Sequence, residues 1–106
     1  MVENEFRTSA KVWLYPGRAA WHFVSIPEEV CDEINDRYGL MKRGWGSLPV
    51  VITIGKTIWK TSIFPDKQTG SYVLPLKADV RKREDIRVGD TINFVLKIDS
   101  GQNFQS

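Results

Sequence analysis

The sequence predicts a mainly β fold, a small closed β-barrel of about six strands capped by two short α-helices. Apolar and polar residues alternate over several short runs, which is the period of a half-buried strand. Glycines and prolines separate these runs, as the turns of an antiparallel sheet require. A strand followed by a proline and a short helix occurs twice, and two similar halves of this kind can close one barrel without exposed sheet edges.

Two strands are predicted near the N-terminus, over residues 6–15 and 21–26. The first run alternates in polarity, and Pro16-Gly17 after it supplies a turn. The second run, Trp-His-Phe-Val-Ser-Ile, is aromatic and β-branched, and such side chains suit a pleated, half-buried surface. The two runs therefore form a hairpin.

A helix is predicted to begin at Pro27, because the φ angle of proline suits the first helical turn. The acidic residues that follow are favoured near a helix N-terminus. Val30, Ile34 and Tyr38 recur at a spacing of i+4, so one apolar stripe of this helix faces the core.

The clearest hairpin pairs residues 48–54 with residues 57–64 across Gly55-Lys56. A connection of two residues between strands selects a primed turn. Both runs are rich in β-branched residues, which supports the assignment.

Three elements are predicted after that hairpin. An extended run over residues 71–74 ends at Pro75, and a short, weakly amphipathic helix covers residues 77–85. The last strand, residues 91–98, places its apolar residues on one face by strict alternation.

The repeated segments are residues 23–30 and residues 72–80. Their register stays open at this level, because aligning Pro27 with Pro75 misaligns the valines that follow. Two halves related by a pseudo-twofold axis would explain the repeat, and coincidence is the alternative.

The length of 106 residues predicts one domain, residues 1–99, followed by a flexible polar tail over residues 100–106. The formal net charge of +2 is far below what a dedicated duplex-DNA binder needs. The lone Cys31 has no disulfide partner, and neither a secretion signal nor a membrane-spanning run is visible, so we expect a cytoplasmic protein without membrane contact.

Several long strings of this sequence are more specific than a strand or turn pattern. They are residues 21–27, 44–50 (Gly-Trp-Gly-Ser-Leu-Pro-Val), 59–66 (Trp-Lys-Thr-Ser-Ile-Phe-Pro-Asp), 72–82 and 88–90. Together these strings resemble the bacterial Domain of Unknown Function 1905 family. The resemblance implies a small closed barrel capped by helices, akin to the double-split barrel of bacterial transition-state regulators and antitoxins. It implies no activity and no catalytic residue, because fold alone carries no function.

A ligand site is predicted where aromatic and basic residues coincide at the barrel mouth. Trp45 lies between two glycines on a loop, where an aromatic ring can lid a pocket, although plugging the barrel end is the more ordinary interpretation. Lys60 and Ser62 share one face of the fourth strand and project either into a pocket or into solvent. Lys77 and Arg81 complete this set.

A second set of cations around the second helix suggests phosphate contacts, and hence nucleic-acid binding, as an alternative. Its members are Lys77, Arg81, Lys82, Arg83 and Arg87. The other interpretation is a solvated helix face with internal pairs such as Arg81 with Asp85 at i,i+4.

The sequence gives little support for a catalytic or a metal-binding role. His22 is the only imidazole and lies between aromatic residues, which favours a structural or surface role, and Cys31 on the apolar helix stripe is interpreted as a packed thiol. One His and one Cys cannot supply the four ligands of a structural zinc site, so no metal or cofactor is expected.

The sequence therefore predicts a non-catalytic binding module for a small anionic ligand or the acidic segment of a protein partner. A regulator-like nucleic-acid binder is the alternative, and an enzyme is the least expected class because His22 has no recognisable catalytic partner. A monomer or weak dimer is expected.

Overall fold

The structure, a computed structural model, describes residues 4–16, 21–38 and 46–99. Within these ranges six strands form one closed antiparallel barrel in the order β1-β2-β5-β4-β3-β6. The elements are β1 (Glu5–Leu14), β2 (His22–Ser25), α1 (Glu28–Tyr38), β3 (Leu48–Ile54), β4 (Thr57–Pro65), β5 (Tyr72–Pro75), α2 (Ala78–Glu84) and β6 (Thr91–Ile98). The predicted mainly β, six-stranded barrel with two helices is confirmed.

The predicted elements are all found, with small differences at their ends. The β3–β4 hairpin pairs Ile54 with Thr57, so Gly55-Lys56 is its whole turn. Only Gly55 of these two residues has a positive φ, +57°, which fits a type II′ turn. The predicted tail, residues 100–106, lies outside the described residues. No helix among the described residues is long and apolar enough to cross a membrane.

The core lies inside the barrel and under α1. Alternation along β3 is complete, because Leu48, Val50, Ile52 and Ile54 are buried and the residues between them are partly exposed. Burying one such side chain contributes about 1.5–3 kcal/mol. The apolar stripe of α1 centres on Cys31 and Ile34, whereas Val30 and Tyr38 are half-buried at its margins.

The two halves of the chain, β1-β2-α1-β3 and β4-β5-α2-β6, are topologically equivalent. The barrel order places β2 beside β5 and β3 beside β6, so exchanging the halves reproduces the same ring. Val24 lies opposite Leu74 where β2 meets β5. The strand–helix repeat seen in the sequence is therefore a structural pseudo-twofold repeat.

The structure also settles the register of the repeat. The offset is 50 residues, which is the separation of Val24 from Leu74 and of the helix starts, Glu28 and Ala78. Val30 then corresponds to Val80, and the two prolines are not equivalent. The pairing of β2 with β5 decides the register of the repeat, and no local pattern of residues predicts that pairing.

The ladders around the barrel differ in length. The β1–β6 and β3–β4 ladders run along most of their strands, whereas β4 pairs with β5 only at Phe64–Val73 and Pro65–Tyr72. Before that short ladder the two strands diverge. The helix α2 then lies against β4 in the gap between them.

The C-terminal end of α2 is fastened to the β3–β4 turn by one carboxylate. Glu84 Oε2 accepts hydrogen bonds from Thr57 Oγ1 at 2.7 Å and from the Lys56 backbone N–H at 3.2 Å. Thr57 is buried, and a buried hydroxyl needs such a partner. The position of α2 beside the gap is thereby fixed.

Candidate functional site

A cleft of about 300 Å³ opens where β4 diverges from β5 and α2 begins. Residues from β2, β4, β5 and the start of α2 contribute to it. The lining residues are Trp21, His22, Trp59, Lys60, Thr61, Pro75, Leu76, Lys77, Ala78 and Arg81. The cleft therefore combines a mostly apolar lining with three cationic side chains.

Three of the five predicted ligand-binding residues, Lys60, Lys77 and Arg81, line this cleft. Ser62 is half-buried on the same strand as Lys60 but does not line it. Trp45 lies outside the described residues. The structure thus brings the three predicted cations together, and their role in binding stays a prediction.

Arg81 is held in a defined orientation. Its side chain is half-buried, and its Nε donates a hydrogen bond to the backbone oxygen of Leu76 at 3.1 Å. No carboxylate in the described part of the chain forms an ion pair with Arg81. The guanidinium is therefore anchored to backbone, and its charge is not neutralised there.

The ion pair expected between Arg81 and Asp85 is not formed. Asp85 pairs instead with Arg87, at 3.3 Å between two exposed side chains. The cause is local backbone geometry, because Asp85 is the C-cap of α2 with a left-handed φ of 54°. The chain leaves the helical path at that residue, so the i,i+4 spacing no longer brings the two side chains together.

Lys77 and Lys60 differ in their electrostatic surroundings. Lys77 is the exposed N-cap residue of α2 and has no ion-pair partner within residues 4–16, 21–38 and 46–99. Lys60 Nζ lies 3.9 Å from Asp99 Oδ2, and its side chain is 73% exposed. A pair so long and exposed is weak. Lys77 and Arg81 are the cations most available to an anion in the cleft.

Two tryptophans supply flat apolar surface to the cleft. Trp59 is half-buried and packs against the hydrophobic core, whereas Trp21 is 58% exposed. The Trp21 ring lies 6.0 Å from the Phe23 ring, within a cluster of aromatic rings on the β1–β2 hairpin. Sequence analysis did not assign either tryptophan to the site, since only the pairing of β2 with β5 brings Trp21 beside α2.

His22 also lines the cleft. It is half-buried on β2, and its backbone oxygen accepts a hydrogen bond from the Leu76 N–H at 2.9 Å. Its place in the site comes from the same β2–β5 pairing, which the sequence alone does not specify.

The chain matches the sequence model of the family described as Domain of unknown function (DUF1905), over residues 9–96. The match covers most of the chain. The chain belongs to the DUF1905 family. A comparison with curated proteins finds no match. All the lining residues fall within the matched range, so the cleft is part of the DUF1905 domain, whereas Asp99 lies beyond it.

The cations predicted for nucleic-acid contact are dispersed on this DUF1905 domain. Lys77 and Arg81 line the cleft, Lys82 and Arg83 are exposed on α2, and Arg87 lies beyond the helix and pairs with an aspartate. Acidic residues lie between them along the chain. The nucleic-acid alternative stays a prediction.

Cys31 is a packed thiol on α1. It is 3% exposed, donates a hydrogen bond to the Ile26 oxygen at 3.4 Å and accepts one from the Tyr72 N–H at 3.4 Å. Burial raises the pKa of this thiol, which disfavours the reactive thiolate. Among the described residues no three His, Cys, Asp or Glu side chains are grouped so that they could hold a metal ion.

Proposed function

We propose that this chain is a non-catalytic binding module that holds a small anionic ligand in the cleft beside α2. The supporting observation is that Lys77 and Arg81 line one cleft while no described carboxylate pairs with either. A cation beside a partly dry, apolar surface attracts an anion more strongly than one in open solvent. An anion would supply the missing counter-charge.

The size and lining of the cleft limit the ligand. A volume of about 300 Å³ is at the lower end for small-molecule sites, which run from about 300 to 1,000 Å³. Each charge-assisted hydrogen bond contributes about 1.5–3 kcal/mol, and association itself costs several kcal/mol. We therefore expect dissociation constants of about 10 μM to 1 mM for simple probe anions.

The acidic segment of a protein partner is the other ligand that this cleft would accept, through one carboxylate side chain. The proposal includes a bacterial, cytoplasmic setting, in which the module works as a monomer or weak dimer. The single cysteine supports this setting, because it allows no disulfide within the chain.

Titration with inorganic phosphate, acetate, benzoate and AMP tests the proposal. We expect at least one anion to shift the backbone amide resonances around Lys77 and Arg81, and the double variant Lys77→Gln/Arg81→Gln to lose that response. The double variant Lys67→Gln/Lys97→Gln, which removes two exposed charges outside the cleft, is the control for net charge. Unchanged spectra with all four anions would overturn the proposal.

The same titration with a short single-stranded DNA distinguishes the nucleic-acid alternative. Phosphate-backbone binding weakens steeply as salt is raised and depends on exposed cations. Under that alternative, Arg83→Gln lowers DNA affinity. Under the proposal, Arg83→Gln leaves the small-anion response in place, because Arg83 does not line the cleft.

A further inference from the structure

The orientation of Arg81 indicates which edge of its guanidinium is available. A guanidinium group can bind a carboxylate through its side-on edge, which includes Nε, or through the end-on pair of Nη atoms. Nε is already bonded to the Leu76 oxygen at 3.1 Å. The end-on edge is therefore the one left for a bidentate ligand in the cleft.

The equivalent position in the other half shows what the fold itself requires. At the offset of 50 residues, Arg81 corresponds to Cys31, whose Sγ donates to the Ile26 oxygen at 3.4 Å. Ile26 in turn corresponds to Leu76, so the two bonds are equivalent. In the first half, the short side chain of Cys31 makes this bond to the backbone. The bond therefore does not by itself require a side chain as long and charged as that of Arg81.

At the equivalent β2–α1 junction, the described side chains fill the space. Tyr72 corresponds to His22, is 3% exposed and donates its hydroxyl to Asn35 Oδ1 at 2.8 Å. That ring covers the β2–α1 junction. The fold therefore offers one open junction in its described part, and we expect one ligand per chain.

We propose that the cleft selects small aromatic carboxylates, an inference that depends on the anion-binding function proposed above. The carboxylate binds the Nη edge of Arg81, and the ring lies against the Trp21 and Trp59 side chains. A planar carboxylate matches the fork of a guanidinium, and aromatic rings prefer offset or edge-on contact with other rings. Lys77 adds a point charge with no preferred geometry.

The volume of the cleft favours this class over larger anions. About 300 Å³ accommodates one ring or two fused rings, and the mostly apolar lining disfavours a ligand that is polar throughout. A nucleotide carries a polar sugar and a phosphate besides its base, so more of its surface is polar than this lining matches. Benzoate and 1-naphthoate are suitable probes.

Comparison of matched ligands tests the inference without any variant. Benzamide has the shape of benzoate without its charge, and cyclohexanecarboxylate has the charge without an aromatic face. We expect benzoate to saturate at one per chain and to shift the indole N–H resonances of Trp21 and Trp59. Benzamide should bind at least about 10-fold more weakly, since it loses a charge-assisted pair. Cyclohexanecarboxylate should bind about 3-fold to 10-fold more weakly, since it loses the ring contact.

Arg81→Lys then separates charge from geometry. It keeps the positive charge and removes the planar fork, so we expect benzoate affinity to fall about 10-fold or more. Arg83→Lys is the matched control, because Arg83 is an exposed arginine on α2 that does not line the cleft. Thermal unfolding of each variant confirms that it is folded.

The outcomes are distinct. If phosphate binds near Lys77 and Arg81 but benzoate binds no better than benzamide, the aromatic-carboxylate inference is wrong and the anion-binding function stands. The inference is also wrong if Arg81→Lys leaves benzoate affinity unchanged. If no anion binds, both proposals are wrong.

Discussion

The two strand–helix junctions of this barrel share one backbone design and differ in what fills it. At the β2–α1 junction, Cys31 and the ring of Tyr72 are buried, and the space is closed. At the β5–α2 junction, Arg81 and His22 occupy the corresponding positions and line a cleft. The barrel thus needs only one closed junction for packing, and the other can carry charge. Function in such a repeat is expected where the halves differ.

Exchanging the equivalent residues should give the largest and most unequal effects. Cys31→Arg buries a charge with no partner in a closed junction, which costs about 3–5 kcal/mol of unfolding free energy. Arg81→Cys shortens a half-buried side chain at the open junction, and a thiol can make the same backbone bond that Cys31 makes, so the change should stay within about 1 kcal/mol. Urea unfolding followed by circular dichroism measures both. Equal losses of unfolding free energy in Cys31→Arg and Arg81→Cys would contradict the distinction between a closed and an open junction.

The helix ends give a second, smaller contrast. Ile34 on α1 is fully buried, whereas its equivalent on α2, Glu84, acts through hydrogen bonds to Thr57 and Lys56. Ile34→Ala should cost about 2–5 kcal/mol through lost packing and a cavity. Glu84→Ala should cost about 1–3 kcal/mol, because it leaves a buried hydroxyl without its partner.

Denaturant titration again provides the measurement, with Asp32→Asn as the control. Asp32 is exposed on α1 beyond its first turn, so its replacement should change stability by no more than about 0.5 kcal/mol. A larger loss for Glu84→Ala than for Ile34→Ala would show that α2, and not α1, is the more firmly held helix.

The smallest expected effect is a pH dependence confined to the closed junction. Burial is the main cause that raises the pKa of the Cys31 thiol above its ordinary value of 9.0, while hydrogen bonds with Tyr72 and Ser71 oppose it. The folded state therefore keeps the thiol proton to higher pH than the unfolded state. This stabilisation is complete below about pH 9 and is lost as the pH rises toward the folded-state pKa.

Comparison with Cys31→Ala isolates that contribution. The difference in denaturation midpoint between the native chain and Cys31→Ala should shrink as the pH is raised above about 9. Arg81→Cys, with its thiol at the open junction, should show a weaker trend. A constant difference across the whole range would rule out the burial effect on this thiol.

The sequence predicted the fold well where period and turn chemistry are local. Strict alternation located β6 at its observed bounds, and the two-residue turn at Gly55-Lys56 set the register of β3 against β4. The offset between the repeats was not predictable, since it depends on Val24 facing Leu74 across a ladder between distant strands.

The candidate site was predicted in part for the same reason. Lys77 and Arg81 lie within one turn of each other on the chain, so local spacing associated them. Trp21 and His22 reach the cleft only through the pairing of β2 with β5. The supposed pair of Arg81 with Asp85 failed because a left-handed C-cap, which i,i+4 spacing does not reveal, turns Asp85 away.

The unequal ladders of the barrel have a dynamic consequence. Seven residue pairs join β1 to β6 and also β3 to β4, and four join β3 to β6, whereas two or three pairs join β2 and β5 to each other and to their neighbours. Local opening needs the fewest broken hydrogen bonds around β2 and β5, so their amide protons should exchange with solvent fastest among the strands. The cleft therefore borders the part of the barrel that opens most readily, and a bound ligand would slow that opening by holding β2, β5 and α2 together.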